Sequence, residues 1–525
     1  MKIAVENTFH RIAACLLLIF IPIILQADDG NILNRKVKIT KSKETVYQLL
    51  KQISDQTGYL FIYDSQQINN DKVVKIRKGE YTIREAIYTI TGNNKLEITV
   101  IRNHILLRVP SDITTNITVA SKDTIASTSN LITLGGIVYD KINNEPIAYC
   151  AIGVNNSTIG TITNQNGEFR LTLPDSLAKN MIKLSHIGYL NEEIEVSLLA
   201  GQTVRISLEP KVVPLQEIIV RAVNPLDILR NMMANRKKNY PSLPVYITTF
   251  YREGVEHKKK VISLTEAILK IYKTGYQNNA ASDQVKLVKM RNIISSQESD
   301  TIFTKMKSGV NACLLLDVMK VFPDFLIEQS KEESPYIYTH TDISVVDNRR
   351  VNVISFEQKK GIEQPLYRGD LFIDAENQAL LEVHFEVNPE HVAKATPQYI
   401  ERKTKDINLT LQKAQYTVSY KPSIDGIYYA NHIRGDIEFK VKRKRRLFAT
   451  SLHLWFEMVS CEISTENVKS FARSERLSPY NIFSDTNYNY DRDFWKNFNI
   501  ILPEDKLEDM IINSINQVVE SQIKK

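Results

Sequence analysis

At 525 residues the chain is long enough for about three domains of ordinary size. Its 43 % hydrophobic and 24 % charged residues place it among globular proteins. A formal net charge of +7 is a modest excess over so long a chain and argues against nucleic-acid binding.

Lys2 and His10-Arg11 precede an apolar run from Ile12 to Leu25, after which Gln26-Ala27 meets Asp28-Asp29. A run of about 14 apolar residues is too short to span a bilayer comfortably and suits a signal-peptide core cleaved after Ala27. Residues 1–27 are therefore read as a signal peptide, with an uncleaved anchor as the alternative. Ile12-Ala13-Ala14-Cys15 has the lettering of a lipoprotein cleavage box, but the apolar run follows Cys15 instead of preceding it. Loss of Lys2, Glu6 and Arg11 lowers the formal charge to about +6, and export argues further against nucleic acid. Cys150, Cys313 and Cys461 remain, far apart and each in a hydrophobic pattern. Buried thiols are expected, one long-range disulfide being the alternative in an exported chain.

Residues 28–110 have their own rhythm. Lys36–Thr40 alternates as a strand, and Val46, Leu49, Leu50 and Ile53 fall at helical spacing up to Gly58. Tyr59–Tyr63 and Lys72–Lys78 are strand-like. Thr82 to Glu85 is a capping box for a second helix with Ile83, Ala86, Ile87 and Ile90 on one face, stopped at Gly92. Leu96–Ile101 and His104–Val109 make a hairpin. This βαββαββ order, with Q-T-G-Y-L-F-I-Y at its centre, resembles the short N-terminal domain shared by secretins and TonB-dependent transducers. The resemblance implies a periplasmic docking module that contacts an anti-sigma-like regulator or an outer-membrane complex. Its surfaces would be shaped by residues 46–63 and 83–90, with Leu49, Tyr59, Phe61, Tyr63 and Ile87 as the partner-docking residues.

Residues 111–131, rich in Ser, Thr and Asp without a sustained period, read as a flexible linker. From 132 to 222 short strand patterns alternate with turn signals. The stretch runs G-G-I-V-Y-D-K-I-N-N-E-P-I-A from Gly135, G-T-I-T-N-Q-N-G-E-F from Gly160, S-H-I-G-Y from Ser185 and T-V-R-I-S-L-E-P from Thr203. Strands with turns every eight to twelve residues or so indicate an all-β sandwich. The wording resembles the carboxypeptidase-regulatory-like domain of Gram-negative envelope proteins, which implies a transthyretin-like accessory sandwich with no peptidase activity.

Residues 223–525 begin with Asn224-Pro225, a cap and a first-turn proline, ahead of a helix over 225–239 with Ile228, Leu229, Met232 and Met233 on one face. Alternating strands follow at 246–252, 261–273, 285–293, 351–356, 366–373, 380–387, 407–420, 426–434, 437–441 and 447–459, with helices expected at 310–321 and 505–521. Period-two strands with one polar and one apolar face predict a large antiparallel sheet wrapping helices. G-D-L-F-I-D-A-E-N-Q-A at Gly369 and G-I-Y-Y-A at Gly426 resemble the half-barrel of the lipoprotein-carrier superfamily. That resemblance implies a concave face able to take an apolar or peptide ligand. An outer-membrane barrel fits less well, because strands such as those holding Glu266 and Lys270, or Lys440, Lys442 and Lys444, carry charge where lipid-facing positions need apolar groups.

Few patterns point to chemistry. No His-Glu-x-x-His, Gly-x-Ser-x-Gly or Cys-His pairing is present. His186, His384 and His391 read as packing or surface residues, and Asn164-x-Asn166-Gly167 as a turn rather than a calcium loop. Asp370 and Asp374 share a face of one strand but lie about 13 Å apart, too far for an acid pair. The run Lys440–Arg446 reads as a solvated hairpin tip, or else as contact with anionic headgroups through Lys442, Arg443, Lys444, Arg445 and Arg446. Tyrosines at 488 and 490 with Trp495 read as a packed cap, stacking on sugars being the alternative.

The expected molecule is thus a multidomain, mainly β chain: a small α+β domain, a transthyretin-like sandwich and a large antiparallel β-rich domain. It is expected to be a non-catalytic exported protein of the periplasm or the periplasmic face of the outer membrane, docking an envelope partner through its N-terminal domain. No catalytic residue, cofactor or metal is assigned, and peripheral membrane association is allowed. A lipid or lipoprotein carrier is the first alternative and an unrecognised hydrolase the second.

Overall fold

The computed structural model describes residues 32–40, 43–63, 68, 72–101, 104–108, 131–211, 224–277, 283–294, 309–327, 334–347, 349–400, 406–444, 448–477, 495, 498–504 and 507. The expected signal peptide, the linker and the helix at 505–521 lie largely or wholly outside them. The chain divides into two compact units, residues 1–62 with 66–114, and residues 63–65 with 115–525.

In the first unit, strands β1 (Lys36–Ile39) and β2 (Lys43–Thr45) lead into helix α1 (Val46–Thr57). Strands β3 (Leu60–Tyr63), β4 (Val73–Lys75) and β5 (Gly79–Thr82) then precede helix α2 (Ile83–Thr91), and β6 (Glu97–Ile101) and β7 (His104–Arg108) close the unit. Both helices start on reciprocal capping boxes, Thr45 with Gln48 and Thr82 with Glu85, and stop at Gly58 and Gly92 in the left-handed region. Two short strands were missing from the sequence expectation: β5 is polar in its letters, and its antiparallel pairing with β1 fixes it instead. Leu49 and Ile87 are wholly buried and Tyr63 is 3 % exposed. These three side chains pack inward, so of the expected docking residues they help shape the module from within. Tyr59 and Phe61 stay half-buried.

The second unit opens with strands β8 (Leu131–Asp140), β9 (Ala151–Val154), β10 (Gly160–Ile162) and β11 (Glu168–Pro174), followed by β12 (Met181–Ser185), β13 (Glu192–Glu195), the short helix α3 (Val196–Leu199) and β14 (Thr203–Leu208). They form two sheets, β11-β8-β14 and β10-β9-β12-β13. Asn164 Oδ1 accepts the backbone N–H groups of Asn166 and Glu168, so the expected turn is present. Gly167 completes it at φ 75°, where a Cβ would lie 2.5 Å from the Val138 carbonyl oxygen.

Helices α4 (Pro225–Ala234) and α5 (Arg236–Asn239) lead into the large sheet. Its strands are β15 (Val245–His257), β16 (Lys260–Lys273), β17 (Gln284–Ile294), β18 (Tyr336–Val346), β19 (Arg349–Gln358), β20 (Tyr367–Asp374), β21 (Leu380–Val387), β22 (Ile407–Pro422), β23 (Tyr428–Arg443) and β24 (Thr450–Ser464). They make one ten-stranded sheet in the order β17-β16-β15-β24-β23-β22-β21-β20-β19-β18, antiparallel at every pairing described. The protein is mostly β, with this antiparallel sheet as its largest part. Two expected strands, 426–434 and 437–441, are one: β23 passes straight through Gly435, above which the Phe456 ring lies so close that a Cβ would meet it at 2.4 Å. The expected helix at 310–321 is only α6 (Val310–Leu315); beyond it Asp317 is wholly buried, accepting from Tyr276 and Tyr420.

One face of the sheet is covered by the chain's own helices. Ile228, Leu229 and Met232 of α4, Val310, Cys313 and Leu314 of α6, and Phe325 and Leu326 of α7 (Asp324–Ile327) join one core with strand residues such as Ile354, Leu371 and Val418. No helix among the described residues is long and apolar enough to cross a membrane, which says nothing of strands.

Candidate binding groove

The opposite face of the sheet is treated differently along its width. Across β15, β16, β17, β23 and β24 it is covered by Trp495, residues 498–502 and the sandwich. Phe250, Ile268, Val459 and Cys461 pack there with Ala151 and Ile162 of the sandwich and with Trp495, Ile500 and Ile501. Between these apolar groups lies a buried ion network. Arg252 bonds Glu266 at 2.7 Å and Glu457 at 3.4 Å, and donates to the Ile501 carbonyl at 2.5 Å. Arg291 bonds the second oxygen of Glu266. Arg434 joins Glu457 at 3.2 Å to Asp436 at 2.8 Å, and His453 reaches Asp436 at 3.1 Å. The Tyr149 ring of the sandwich stacks on His432 at 4.8 Å. Burial pushes the Glu457 and Asp436 carboxyls up, but His432 at 3.8 Å from Glu457, the bond from His453 to Asp436 and the neighbouring guanidinium charges outweigh it and bring both down to about 2. Every charge here has a counter-charge on a neighbouring strand of the same sheet, and the sandwich meets the network through the Tyr149 ring.

Across β18 to β22, beyond the end where the sandwich meets Asp347 and Lys421, the described residues leave the same face uncovered, and a groove of about 690 Å³ runs over it. Its floor alternates with the buried side chains of the other face, as period-two strands require. Polar side chains line it: Thr341 of β18, Ser355 of β19, Arg368 and Asp370 of β20, Glu386 of β21 and Gln415 of β22. They form chains of hydrogen bonds across neighbouring strands. Thr341 and Ser355 hydroxyls are 2.9 Å apart, and Ser355 donates to Asp370 at 2.5 Å. Arg368 donates to Glu386 at 2.8 Å, and Gln415 donates to the other Glu386 oxygen at 2.7 Å. At one end His384 bonds Glu382; burial lowers the imidazole, but the carboxylate overcomes it and the net shift is upward. Ile337 is the exposed apolar member, 43 % exposed. Such a surface offers donors, acceptors, one cation and three carboxylates within reach of an extended ligand.

A second cavity, of about 260 Å³, lies where the sandwich meets the sheet, lined by Lys183 and Ser185 of β12, Asp347 and Lys421. Desolvation pushes the Lys421 ammonium below its ordinary value, against the pull of Asp347.

Of the residues singled out from sequence, Asp370 enters the groove while Asp374 is buried in a turn, accepting from Glu376 and Asn377 and paired with Arg349 at 2.8 Å. The two do not form an acid pair. His384 lines the groove; His186 lies at the junction with the sandwich, its Nδ1 2.9 Å from the Ile187 carbonyl. Cys150, Cys313 and Cys461 are all buried and free, as their hydrophobic surroundings in the sequence predict. Among the described residues no cluster of three His, Cys, Asp or Glu has metal-binding geometry. Lys442 and Lys444 are exposed and Arg443 half-exposed; Arg445 and Arg446 lie outside the described residues. Trp495 is buried against the sheet, a cap rather than an open stacking platform. The groove itself escaped sequence reading, because its residues come from five strands spread over about 80 positions, and only their period-two placement signals it.

Comparison with known proteins gives a family for one part of the chain. No curated protein matches. Among solved structures the chain is similar to a DUF1329 family protein from Desulfovibrio piger, 12 % identical over 48 % of this chain and 99 % of that one, with a TM-score of 0.22. It is similar also to a putative outer membrane lipoprotein-sorting protein domain from Vibrio parahaemolyticus, 10 % identical over 47 % and 95 %, TM-score 0.20. A LolA superfamily protein from Nitrosomonas europaea is 10 % identical over 49 % and 99 %, TM-score 0.17. Likenesses of this size carry no functional argument. Residues 134–220 match the family described as CarboxypepD_reg-like domain, and the β8–β14 sandwich is that domain.

Proposed function

We propose that the chain is a non-catalytic, exported envelope protein that binds an extended peptide segment of a partner in the groove across β18 to β22. The observation that carries this reading is the groove's lining. Thr341, Ser355, Asp370, Arg368, Glu386 and Gln415 present alternating donors and acceptors along an exposed sheet face, which suits the polar backbone and mixed side chains of a peptide better than an acyl chain. In this reading the CarboxypepD_reg-like sandwich, tied to the sheet by Lys183 with Asp347 and by Tyr149 against His432, keeps the rest of that face covered. The small N-terminal unit is a second docking module, with Tyr59 and Phe61 as its candidate contact residues.

The carrier alternative needs an apolar cavity on the helix-covered face. There α4, α6 and α7 already fill the space against the strands, so a lipid would have to displace them. Affinity capture from envelope fractions separates the readings. The full chain should retain a partner, and Arg368→Ala with Glu386→Ala should lose it while leaving the fold intact. Recovery of phospholipid in organic extracts of the purified full chain, with no partner captured, would overturn the peptide reading in favour of the carrier.

A further inference from the structure

Lys258, Lys259 and Lys260 are about 180 residues from the basic run at 440–446, yet the sheet brings the two together. Lys258 and Lys259 are the two loop residues of the β15–β16 hairpin, both with positive φ (53° and 65°), the pattern of a type I′ turn. β24 pairs with β15 on one side and β23 on the other. The register sets Leu452 against His257 and against Phe439, and Ser451 against Lys440. The Lys258 N–H donates to the Ser451 carbonyl at 3.2 Å. On the far side of β23, Arg443 pairs with Ile407, and the Lys444 N–H donates to the Asp406 carbonyl at 3.1 Å. One end of the sheet therefore carries two adjacent hairpin tips.

Among the described residues these tips hold Lys258, Lys259, Lys260, Lys442, Arg443 and Lys444, with Asp406 as the acid beside them; all are exposed except Arg443, which is half-exposed. Phe448, on the return side of the second tip, is 83 % exposed. A hairpin tip that only needs to stay solvated has no use for a bare phenyl ring, whereas an interfacial contact uses both parts. Cations meet anionic headgroups, and an aromatic enters the boundary of the acyl region.

We propose that this end of the sheet docks on an anionic phospholipid bilayer, the two lysine-rich tips resting on the headgroups and Phe448 inserting between them. The surface lies at strand ends, apart from the groove on the sheet face, so it stands whether or not the peptide reading does.

The test is co-sedimentation of the full chain with vesicles of phosphatidylcholine, alone or containing about one third phosphatidylglycerol. Binding should favour the anionic vesicles at least ten-fold and fall as salt rises past the point where the screening length drops below about 8 Å. Each cation removed should weaken binding about five-fold. Lys258→Asn, Lys259→Asn and Lys260→Gln together should then nearly abolish it, Asn being chosen because it tolerates positive φ. Lys442→Gln with Lys444→Gln should act likewise, and Phe448→Ser should lower binding several-fold with the charge unchanged. Unchanged thermal unfolding of each variant keeps these losses assignable to the surface. Equal binding to neutral vesicles, full binding by the triple lysine variant, or preferential binding to lipopolysaccharide or to a DNA duplex would each overturn the proposal.

Discussion

The carboxylate of Asp347, in the turn between β18 and β19, lies 2.8 Å from the ammonium of Lys183 on β12, tying the sandwich to the large sheet. The same oxygen accepts from Asn191 at 2.7 Å and from Ser185 at 3.2 Å. Burial raises this carboxyl, but Lys183 outweighs it and the net shift is downward. Asp347 has φ 50°, a conformation that Asn also accepts, so Asp347→Asn removes the charge without straining the turn. The expected cost is about 1–3 kcal/mol, as for a hydrogen bond to a charged group, read from denaturant unfolding. In a double-mutant cycle with Lys183→Met the two losses should not add. Additive losses would mean that the contact does not couple sandwich and sheet.

Glu266 sits between Arg252 and Arg291 with no exposed surface. Removing it leaves two buried guanidinium groups, one of them still served by Glu457. Glu266→Ala is expected to destabilise by about 3–5 kcal/mol, the usual consequence of stripping one partner from a buried ion pair. A loss below about 1 kcal/mol in chemical denaturation would show that water enters the network.

The network also sets a pH window. Glu457 and Asp436 stand at about 2 in the folded chain, below their ordinary values of 4.5 and 3.8, so their contribution is full above 4.5 and is lost as the pH falls toward 2. His453 is lowered by burial but raised more strongly by Asp436 and Glu256, to about 9. Its contribution is full below its ordinary 6.5 and is lost as the pH rises through about 9. Urea midpoints should therefore plateau between these limits. His453→Gln should flatten the alkaline decline and shrink Asp436's share of the acid limb, while Glu457's share stays; an unchanged alkaline slope would remove His453 as its cause.

Gly254 on β15 faces the Trp455 ring of β24, and a Cβ there would lie 2.5 Å from ring carbons. Both residues belong to central strands, where neither backbone has room to retreat. Gly254→Ala should cost about 1–3 kcal/mol through overpacking, and Gly254→Ala with Trp455→Leu should recover part of it. No loss in the single variant would mean that the indole turns aside freely.

Local structure was legible wherever a short motif carries its own physics. Thr82 and Glu85 announce a helix start, Gly58 and Gly92 a helix end, and Asn164 to Gly167 a turn, because each satisfies backbone groups a few residues away. Strand β18 was not legible: Tyr336–Val346 breaks its alternation at the bulge between His340 and Asp342, and pairing with β19 holds it in place. The Glu457 cluster joins residues from 252 to 457, and the lysine-rich end joins 258 to 444. Both exist only through the register of β24 between β15 and β23, which no local pattern encodes.

That register has a temporal consequence. Apart from the β15–β24 pairing and the split it creates, each strand of the large sheet neighbours the next in sequence. The seam pairs Tyr246 with Ser464, however, so the first strand of the sheet waits for the last. During synthesis, β15, β16 and β17 can form their meander early, with β15 offering a long unpaired edge. That edge is about thirteen residues long, a template for any other extended chain nearby. Slow closure is intrinsic to such non-local pairing, and the vulnerable interval ends only when residues 450–464 arrive to fill the gap.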